Sequence, residues 1–492
     1  MKIDYEVDVL IVGFGAAGAN AAIAAHDAGA RVQIIEKQNI GGGNSAVCAG
    51  VMAIPRNVEE GVEYYRNLSF GTVSEKMIRA FAEAMVGIPD LLTRLGVKFK
   101  VAHMRGSYPS LLRGYLHRLY INPTGEKGFE ALEDQVKKRN IKVLSNTSAK
   151  RLIQRPDSKE VIGLVAEIEG NEITIMARKA VVLTCGGYGA NSEMVSHFNF
   201  PGLSDYIFPW GSPGNKGDGV QLATEAGASL WHMASIEWGK FCARAPSLEY
   251  GTAIGYGLGR SLSVGSYMFV NRSGKRFMAE DTKVTHRKAP LKILEFDQLN
   301  AEYGNLPAFM IFDQTYFKKG SIAVNRPGTV RKRGGVIGYP IVHEIYDWSS
   351  DNQAEVDAGW IYKANTIAEL ANMIGADADA LKDTINRFNL CCDEQRDCEF
   401  ERNAASQEPF GTPPFYGLEL GISLINTQGG AKRNVDCQVV DHNDVAIPRL
   451  YSAGEFGSFF GFLYQGGSNY PEAWVTGEIA GRIAASETSW RS

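Results

Sequence analysis

The stretch from Glu6 to Lys37, EVDVLIVGFGAAGANAAIAAHDAGARVQIIEK, constrains the fold more than any other part of the chain. An apolar run, Val7 to Val12, ends in Gly13, Gly15 and Gly18. A small-residue pattern with helical character follows from Ala16 to Gly29, and a second apolar run, Val32 to Ile35, closes on Glu36. The order predicts a strand, a tight turn, a helix and a second strand with an acid at its tip. Gly13 permits the turn, Gly15 lets the backbone approach a pyrophosphate, and Gly18 lets the helix pack closely on the sheet. The first helical turn, with Ala16 and Ala17, offers free N–H groups and a positive dipole end to phosphate. Glu36 can accept hydrogen bonds from a ribose diol, which disfavours a 2′-phosphate there. A glycine triplet alone is common, but here strand, helix and acid agree on a dinucleotide site.

The rest of the composition is that of an ordinary globular protein: 492 residues, 45% hydrophobic, 22% charged, with a formal net charge of −4. The length suits two or three domains. The near-neutral balance argues against nucleic acid, and the densest basic runs, Lys318-Lys319 and Arg331 to Arg333, read as solvated loop faces. No stretch approaches the roughly 18 apolar residues that span a bilayer. The N-terminus enters a strand without a signal-like segment, so a cytoplasmic address is expected. The seven cysteines are unpatterned, and Cys391, Cys392 and Cys398 fit neither a zinc nor an iron–sulfur spacing. They read as reduced, mostly buried thiols.

After Lys37 comes GGGNSAVCAGVMA, Gly41 to Ala53, a cofactor loop by position, in which Gly43, Asn44, Ser45, Gly50 and Val51 are the contact candidates. Helices are expected at Ser74 to Leu95 and Gly128 to Arg139, flanking an aromatic and basic segment from Arg105 to Tyr120. A strand at Lys142 to Leu144 is continued by Ser148 to Lys150, which includes Ala149. Val161 to Ala177 reads as a β-hairpin turning at Gly170-Asn171. Lys179 to Asn191 reads as a buried strand ending in Gly186 and Gly187, a late strand of the same nucleotide domain. Asp218, before a helix over Val220 to Gly227, could bond a cofactor hydroxyl or cap that helix. From Ile236 to Leu418 the character changes: strands at Tyr267 to Val270 and Ala308 to Phe312, a turn at Asn271 to Lys275, and a helical segment from Thr366 to Asn389. Domain limits of 1–235, 236–418 and 419–492 follow, the first and last forming one domain. A strand from Ile447 leads to Gly454 and Glu455. Gly466 and Gly467 then open a helix with Ser468 or Asn469 as its cap and Tyr470, Pro471 and Glu472 in the first turn. Small residues at Gly477, Ala480, Gly481 and Ala484 allow it to pack against the first helix.

The ordered set GFGAAG, Glu36, GGGNSAVCAG, VVLTCGG, GDG, FVNRSGKRF, LYSAGE and GG plus helix resembles the fumarate reductase and 3-ketosteroid dehydrogenase flavoproteins over nearly the whole chain. The resemblance implies an α/β fold: a Rossmann-like FAD-binding domain built from both chain ends, with an inserted α+β capping domain. It places Gly13 to Gly18 at the pyrophosphate, Glu36 and Lys37 at the adenosine ribose, and Gly43 to Ser45 and Gly50 at the flavin. Asp218, Asn426, Glu455 and Ser468 to Tyr470 complete the cofactor set. Covalently flavinylated relatives carry histidine where Asn44 stands, so FAD is expected to be non-covalent. An external electron donor or acceptor is implied, since no second dinucleotide fingerprint is visible.

The departures from the family bear on substrate. Fumarate-type members bind a dicarboxylate with histidines and an arginine. Here the segment around Gly239-Lys240 lacks the first histidine, Ile425 and Asn426 replace a pair, and Tyr464 stands where the arginine would be. Charge-assisted hydrogen bonds worth ~1.5–3 kcal/mol each are lost, which disfavours a C4 dicarboxylate. Tyr464 resembles the tyrosine near the end of ketosteroid dehydrogenases. A phenol, with a reference pKa of about 10, can hydrogen-bond a ketone or protonate carbon; the alternative is an aromatic packing residue. Arg287 is the candidate for the proton-donor arginine or is an ordinary surface arginine, and Tyr316 and Tyr256 are further aromatic candidates. The expected activity is reduction or desaturation of a carbon–carbon bond next to a carbonyl, in a 3-ketosteroid or other enone. The rivals are an enoate reductase anchoring carboxylate through Lys240, Arg244 or Arg260, and an electron-transfer subunit.

Overall fold

The structure is a computed structural model that describes residues 2–121, 125–209, 211–244, 264–280, 292–322 and 348–490, with the backbone of 332–333 and 336–337. The chain divides into two compact units. One comprises Met1–Pro201, Gly211–Glu237 and Asn426–Ser492, the other Gly202–Trp210 and Trp238–Ile425.

In chain order the first unit begins with β1 (Tyr5–Val12), α1 (Ala16–Asp27), β2 (Val32–Ile35), β3 (Lys142–Leu144), β4 (Thr147–Gln154), β5 (Val161–Ile168) and β6 (Asn171–Leu183). The second unit's main sheet follows with β7 (Ile207–Pro209), β8 (Ile236–Ala243), β9 (Tyr267–Asn271), β10 (Ala308–Asp313), β11 (Ile361–Ala364) and β12 (Phe415–Thr427). The first unit resumes with β13 (Gln438–Val440), β14 (Ala446–Ser452) and α2, the helix Asn469–Ser486.

The first unit is built on a sheet ordered β13-β14-β6-β1-β2-β3, with β4 and β5 attached beside β6. β1 runs parallel to β2 (Val9 opposite Val32) and to β6 (Val12 opposite Leu183), and β14 is parallel to β6. Parallel strands bury both faces, so they read as continuous apolar runs rather than alternations; Val9, Leu10, Ile11, Val181 and Val182 are wholly buried. The expected hairpin strand and the expected buried strand prove to be one 13-residue strand, β6.

Helices α1 and α2 pack through small residues. A Cβ on Gly477 would come within 2.3 Å of the Ala17 carbonyl oxygen, and one on Gly481 within 2.0 Å of that of Ala21. Backbone-to-backbone approach of this kind needs glycine, so the seam between the first and last helices rests on those two positions. Elsewhere the sequence was coarser than the structure. The helix expected over Ser74 to Leu95 is two, Glu75–Val86 and Ile88–Arg94, divided at Gly87 where Pro89 follows in the next first turn. Part of the Arg105 to Tyr120 segment is strand: Leu116–Ile121 pairs with Phe99–Met104 and Val51–Ile54 in a three-stranded sheet. No disulfide joins the cysteines.

In the second unit, β10 and β11 run antiparallel to β12, β9 is antiparallel to β10, and β7 lies parallel to β12. The helical segment from Thr366 is divided at Gly375, whose left-handed backbone ends Ile367–Ile374 before Ala378–Asp393 begins. Arg276 is buried between Glu280 and Asp397, at 2.9 Å from each. That ion pair accounts for the GKRFMAE motif as an internal strut.

Candidate functional site

The turn after β1 carries the expected glycine chemistry. Gly13 has φ +102°, and a Cβ on Gly18 would lie 2.0 Å from the Gly13 carbonyl oxygen, so the helix sits directly on the turn. Gly15 is the N-cap of α1, and no side chain caps it. Orphan N–H groups of an uncapped helix start favour an anion. Ser45 Oγ accepts from Ala16 N at 3.0 Å, and Gly42 N donates to Phe14 O at 2.7 Å, so the Gly41–Ser45 loop is moored to the same turn. A Cβ on Gly43 would meet nothing within 4 Å. The backbone there faces open space, as a phosphate- or ring-binding loop requires. Gly50, at φ +64°, leads into Val51–Ile54.

Glu36 is held at the end of β2 by Phe14 N at 2.8 Å and Gln38 N at 2.9 Å. Burial raises its pKa, opposed by those two N–H donors. Lys37 pairs with Asp218, the first residue of its helix; Gly217, not Asp218, occupies the N-cap. Thr147 N donates to Glu36 O at 2.9 Å, which brings the start of β4, with Ala149 two residues on, beside the same strand end.

A second constellation lies around Glu455. Its carboxylate accepts from Asn44 Nδ2 at 2.6 Å and from Thr427 N at 3.3 Å, and Ser212 N donates to Asn44 Oδ1 at 2.7 Å. A Cβ on Gly187 would fall 2.4 Å from Glu455 Oε1, so only glycine leaves room for the acid, while Gly186 gives Asn215 the same clearance at 2.5 Å. Burial pushes the Glu455 carboxyl up to about 7 against those donors, with the charge of Glu472 adding to the rise. Gly454 abuts Ala17, so the Gly454-Glu455 turn touches the first helix.

The start of α2 is arranged differently from the simple cap the sequence suggested. Ser468 is the N-cap, yet its hydroxyl donates to Ala53 O at 3.1 Å rather than capping the helix. The capping oxygen is Tyr464 Oη, which accepts from Gly467 N, Ser468 N and Asn469 N, each at 3.2 Å. Burial, then the negative charge of Glu237, holds the phenol well above its ordinary pKa, while the three N–H groups act in the opposite sense. Asn469 exchanges side-chain hydrogen bonds with Gln428 at 2.8 and 3.0 Å and accepts from Asn426 at 3.2 Å. Tyr470 points elsewhere, with its hydroxyl on Gly125 O at 3.2 Å.

Several participants were not singled out from sequence. Glu472 and Arg433 form a buried ion pair at 2.7 Å, and Glu472 also accepts from Phe459 N and Ser458 Oγ at 2.7 Å. This pair fixes the loop between β14 and α2. Gln465 accepts from Tyr64 Oη at 2.6 Å and Ser107 N at 2.8 Å, anchoring the residue after Tyr464. Glu237 is 1% exposed. No motif in the sequence singled it out.

The remaining candidates belong to the second unit or lie outside the described residues. Tyr316 belongs to the second unit, where its ring packs on Tyr267 at 5.0 Å and Phe312 at 5.8 Å as part of that core. Arg244 is committed to Glu419 at 2.7 Å with its guanidinium over Tyr206. Arg287, Tyr256 and Arg260 lie outside the described residues, as does the side chain of Lys240. Among the described residues there is no metal-binding cluster of His, Cys, Asp or Glu, and no helix long and apolar enough to cross a membrane.

An uncapped helix start, an acid at the second strand's tip, an open glycine loop and a buried carboxylate at the far strand end fit an FAD molecule, and together they define a flavoprotein. The chain matches the FAD binding domain family over residues 8–470 and belongs to it. It is an FAD-dependent oxidoreductase of the CH–CH class. It is 29% identical to a urocanate reductase of Eggerthella lenta over 98% of this chain and 75% of that protein. It is 26% identical to a vinyl phenol reductase of Lactiplantibacillus plantarum over 99% and 97% of the two chains. In structure it matches 3-ketosteroid delta1-dehydrogenase from Sterolibacterium denitrificans with a TM-score of 0.77 and 21% identity, covering 98% and 99% of the two chains. The expected fold and cofactor are thus established.

Proposed function

We propose that the protein reduces, or in reverse forms, a carbon–carbon double bond conjugated to an uncharged oxygen function, a ketone or a phenol. The observation that carries this reading is Tyr464, a buried phenol whose oxygen sits on the first N–H groups of α2, at the place where the resemblance put a carboxylate-binding arginine. FAD, bound non-covalently by Gly13 to Gly18, Glu36, the Gly43–Ser45 loop and Glu455, supplies hydride exchange at the substrate's β-carbon. Tyr464 holds the proton destined for the α-carbon. The N–H groups of Gly467, Ser468 and Asn469 stabilise the oxygen when that proton has left. Ile425, Asn426 and Tyr464 bring no positive charge to the position of the anion clamps. An external electron donor reduces the cofactor between turnovers.

The relative that acts on a vinyl phenol supports the uncharged reading. The urocanate reductase supports a second one, an enoate substrate, with equal weight from sequence. Under that reading a carboxylate would need an anchor other than Arg244, which Glu419 already engages. The test is anaerobic. The purified yellow holoprotein is photoreduced and mixed with 1,4-androstadiene-3,17-dione, 4-vinylphenol, urocanate or fumarate, and flavin reoxidation is followed by absorbance. Fast reoxidation by the first two alone supports the uncharged class. Fast reoxidation by the carboxylates replaces it with the enoate reading.

A further inference from the structure

The aromatic and basic segment of the first unit has no part in the cofactor set, yet its charge is one-sided. From Leu91 to Gly125 there is no Asp or Glu, while Arg94, Lys98, Lys100, Arg105, Arg113 and Arg118 each add a positive charge. The whole chain stands at −4, so the remainder without these six stands at −10. Arg94 and Arg113 are matched by Glu478 and Glu63, at 2.5 and 3.2 Å. Lys98, Lys100 and Arg105 are exposed, and no ion pair among the described residues reaches them. Between them lie exposed His103 and Val101, the latter 56% exposed. The strand that carries them, Phe99–Met104, is the outer strand of the three-stranded sheet and is paired on one side only among the described residues. One lysine is enough to deter chance pairing at an open edge. Three unmatched cations around an exposed valine make a face.

The opposite edge of the same sheet is bonded to the start of α2. Ala53 N donates to Gly467 O at 2.9 Å, and Ala53 O accepts from Ser468 Oγ at 3.1 Å. Ala53 lies opposite Arg118, and Arg118 opposite Ala102 on the basic strand. Two residues beyond Arg105, Ser107 N donates to Gln465 Oε1 at 2.8 Å, and Ser107 Oγ accepts from Gly466 N at 3.0 Å. The basic edge and the edge that holds the α2 start are two strand spacings apart, about 10 Å. We infer that this edge, with Lys98, Lys100 and Arg105 around Val101, is the docking face for an acidic one-electron carrier protein that reduces the FAD. Two reduced carriers dock in turn. Each loses one electron, and the FAD gains both electrons together with two protons from solvent. Unmatched cations steer an acidic partner and speed its encounter in a manner that salt suppresses. The exposed valine gives the contact an apolar centre inside a charged rim.

The inference rests on the proposed need for an external electron donor, and it is tested in the reductive half-reaction alone. Reduced flavodoxin, an acidic carrier, is mixed anaerobically with oxidised holoenzyme in a stopped-flow instrument, and electron transfer is followed by absorbance. Binding of labelled, oxidised flavodoxin is read separately by fluorescence anisotropy. Raising the salt from about 0.02 to about 0.5 M should lower the transfer rate at least tenfold. Lys98→Glu with Lys100→Glu and Arg105→Glu should lower both the low-salt rate and the affinity at least tenfold and abolish the salt dependence. Reduction of the same variant by methyl viologen radical, a small cation, should be no slower than in wild type. Arg331→Glu with Lys332→Glu and Arg333→Glu makes the same change in net charge and should cost less than threefold. Should the first triple variant lose its FAD, glutamine at the same three positions replaces it, with a loss of at least threefold expected. An unchanged rate in the Lys98, Lys100 and Arg105 variant, or an equal loss in the Arg331 to Arg333 variant, overturns the docking face. So does duplex DNA or a phosphatidylserine vesicle bound there that flavodoxin does not displace. A flavin that flavodoxin reduces and none of the four alkenes reoxidises defeats the proposed activity alone; one that an alkene reoxidises but flavodoxin never reduces defeats the docking face alone.

Discussion

Replacing Gly481 with alanine adds one methyl group at the tightest point between α1 and α2. The new Cβ would stand 2.0 Å from the Ala21 carbonyl oxygen and 2.7 Å from its carbon and Cα. Ordinary contact lies near 3.5 Å, so the helices must part by more than about 1 Å. Alanine favours helix over glycine by about 1 kcal/mol. Overpacking against a flexible side chain costs about 1–3 kcal/mol. Here the obstacle is backbone, and Gly477 makes the same approach one turn away, at 2.3 Å from Ala17 O, so the helix has no tilt that relieves it. The upper end of that range applies, and a net loss of about 2 kcal/mol is expected. At ~2–4 °C per kcal/mol for a unit of this size, the melting temperature should fall by about 4–8 °C. Because Gly15 to Gly18 begin the displaced helix, FAD should also dissociate more readily. Differential scanning fluorimetry of apo and holo protein, with flavin release followed by its own fluorescence, measures both. A variant that melts at or above the parent would show that helix preference outweighs the contact and would refute this account of the seam.

Three further outcomes follow from the site. The rise of the Glu455 carboxyl from 4.5 to about 7 makes its stabilising, protonated form fully present below pH 4.5 and lost as pH passes 7. The apoprotein should therefore lose up to about 3 kcal/mol between pH 5 and 8, and Glu455→Gln should flatten that part of the urea-unfolding profile. Arg433→Met leaves Glu472 buried and unpaired at a cost of about 3–5 kcal/mol; Arg433→Met with Glu472→Gln should recover part of it, measured as the urea midpoint. Tyr464→Phe should lower turnover at least tenfold with the flavin spectrum intact, and unchanged turnover would remove the phenol from the mechanism.

The cofactor half of this site was legible because its chemistry is local. Gly13 to Gly18 and Glu36 lie within one βαβ unit, and each residue type has a job that sequence spacing alone describes. Glu455 and Asn44 were each visible in a motif, but their 2.6 Å bond joins residues 411 positions apart, and no periodicity reports that. The same is true of Arg433 with Glu472 and of Gln465 with Tyr64, which are ordinary polar residues until the fold buries them together. The start of α2 was placed at Ser468 as expected, but the group that caps it was hidden for a different reason. A serine before a helix is the usual cap, and only the folded loop reveals that the Tyr464 hydroxyl has taken its place. The two divided helices at Gly87 and Gly375 were obscured because apolar periodicity continues across both breaks.

Joining the first and last helices of the FAD-binding unit across a bare glycine contact has a consequence for biosynthesis. A ribosome adding 5–20 residues per second finishes α2 some tens of seconds after α1 emerges. During that interval the apolar flank of α1 (Ala17, Ala21 and their neighbours) has no partner, and nascent chains must be shielded by chaperones or by transient contacts. Cofactor loading is correspondingly a late event: the pyrophosphate turn exists early, but Glu455 and the α2 start are translated only after the intervening second unit. Starving cells of riboflavin should thus leave full-length apoprotein rather than stalled fragments.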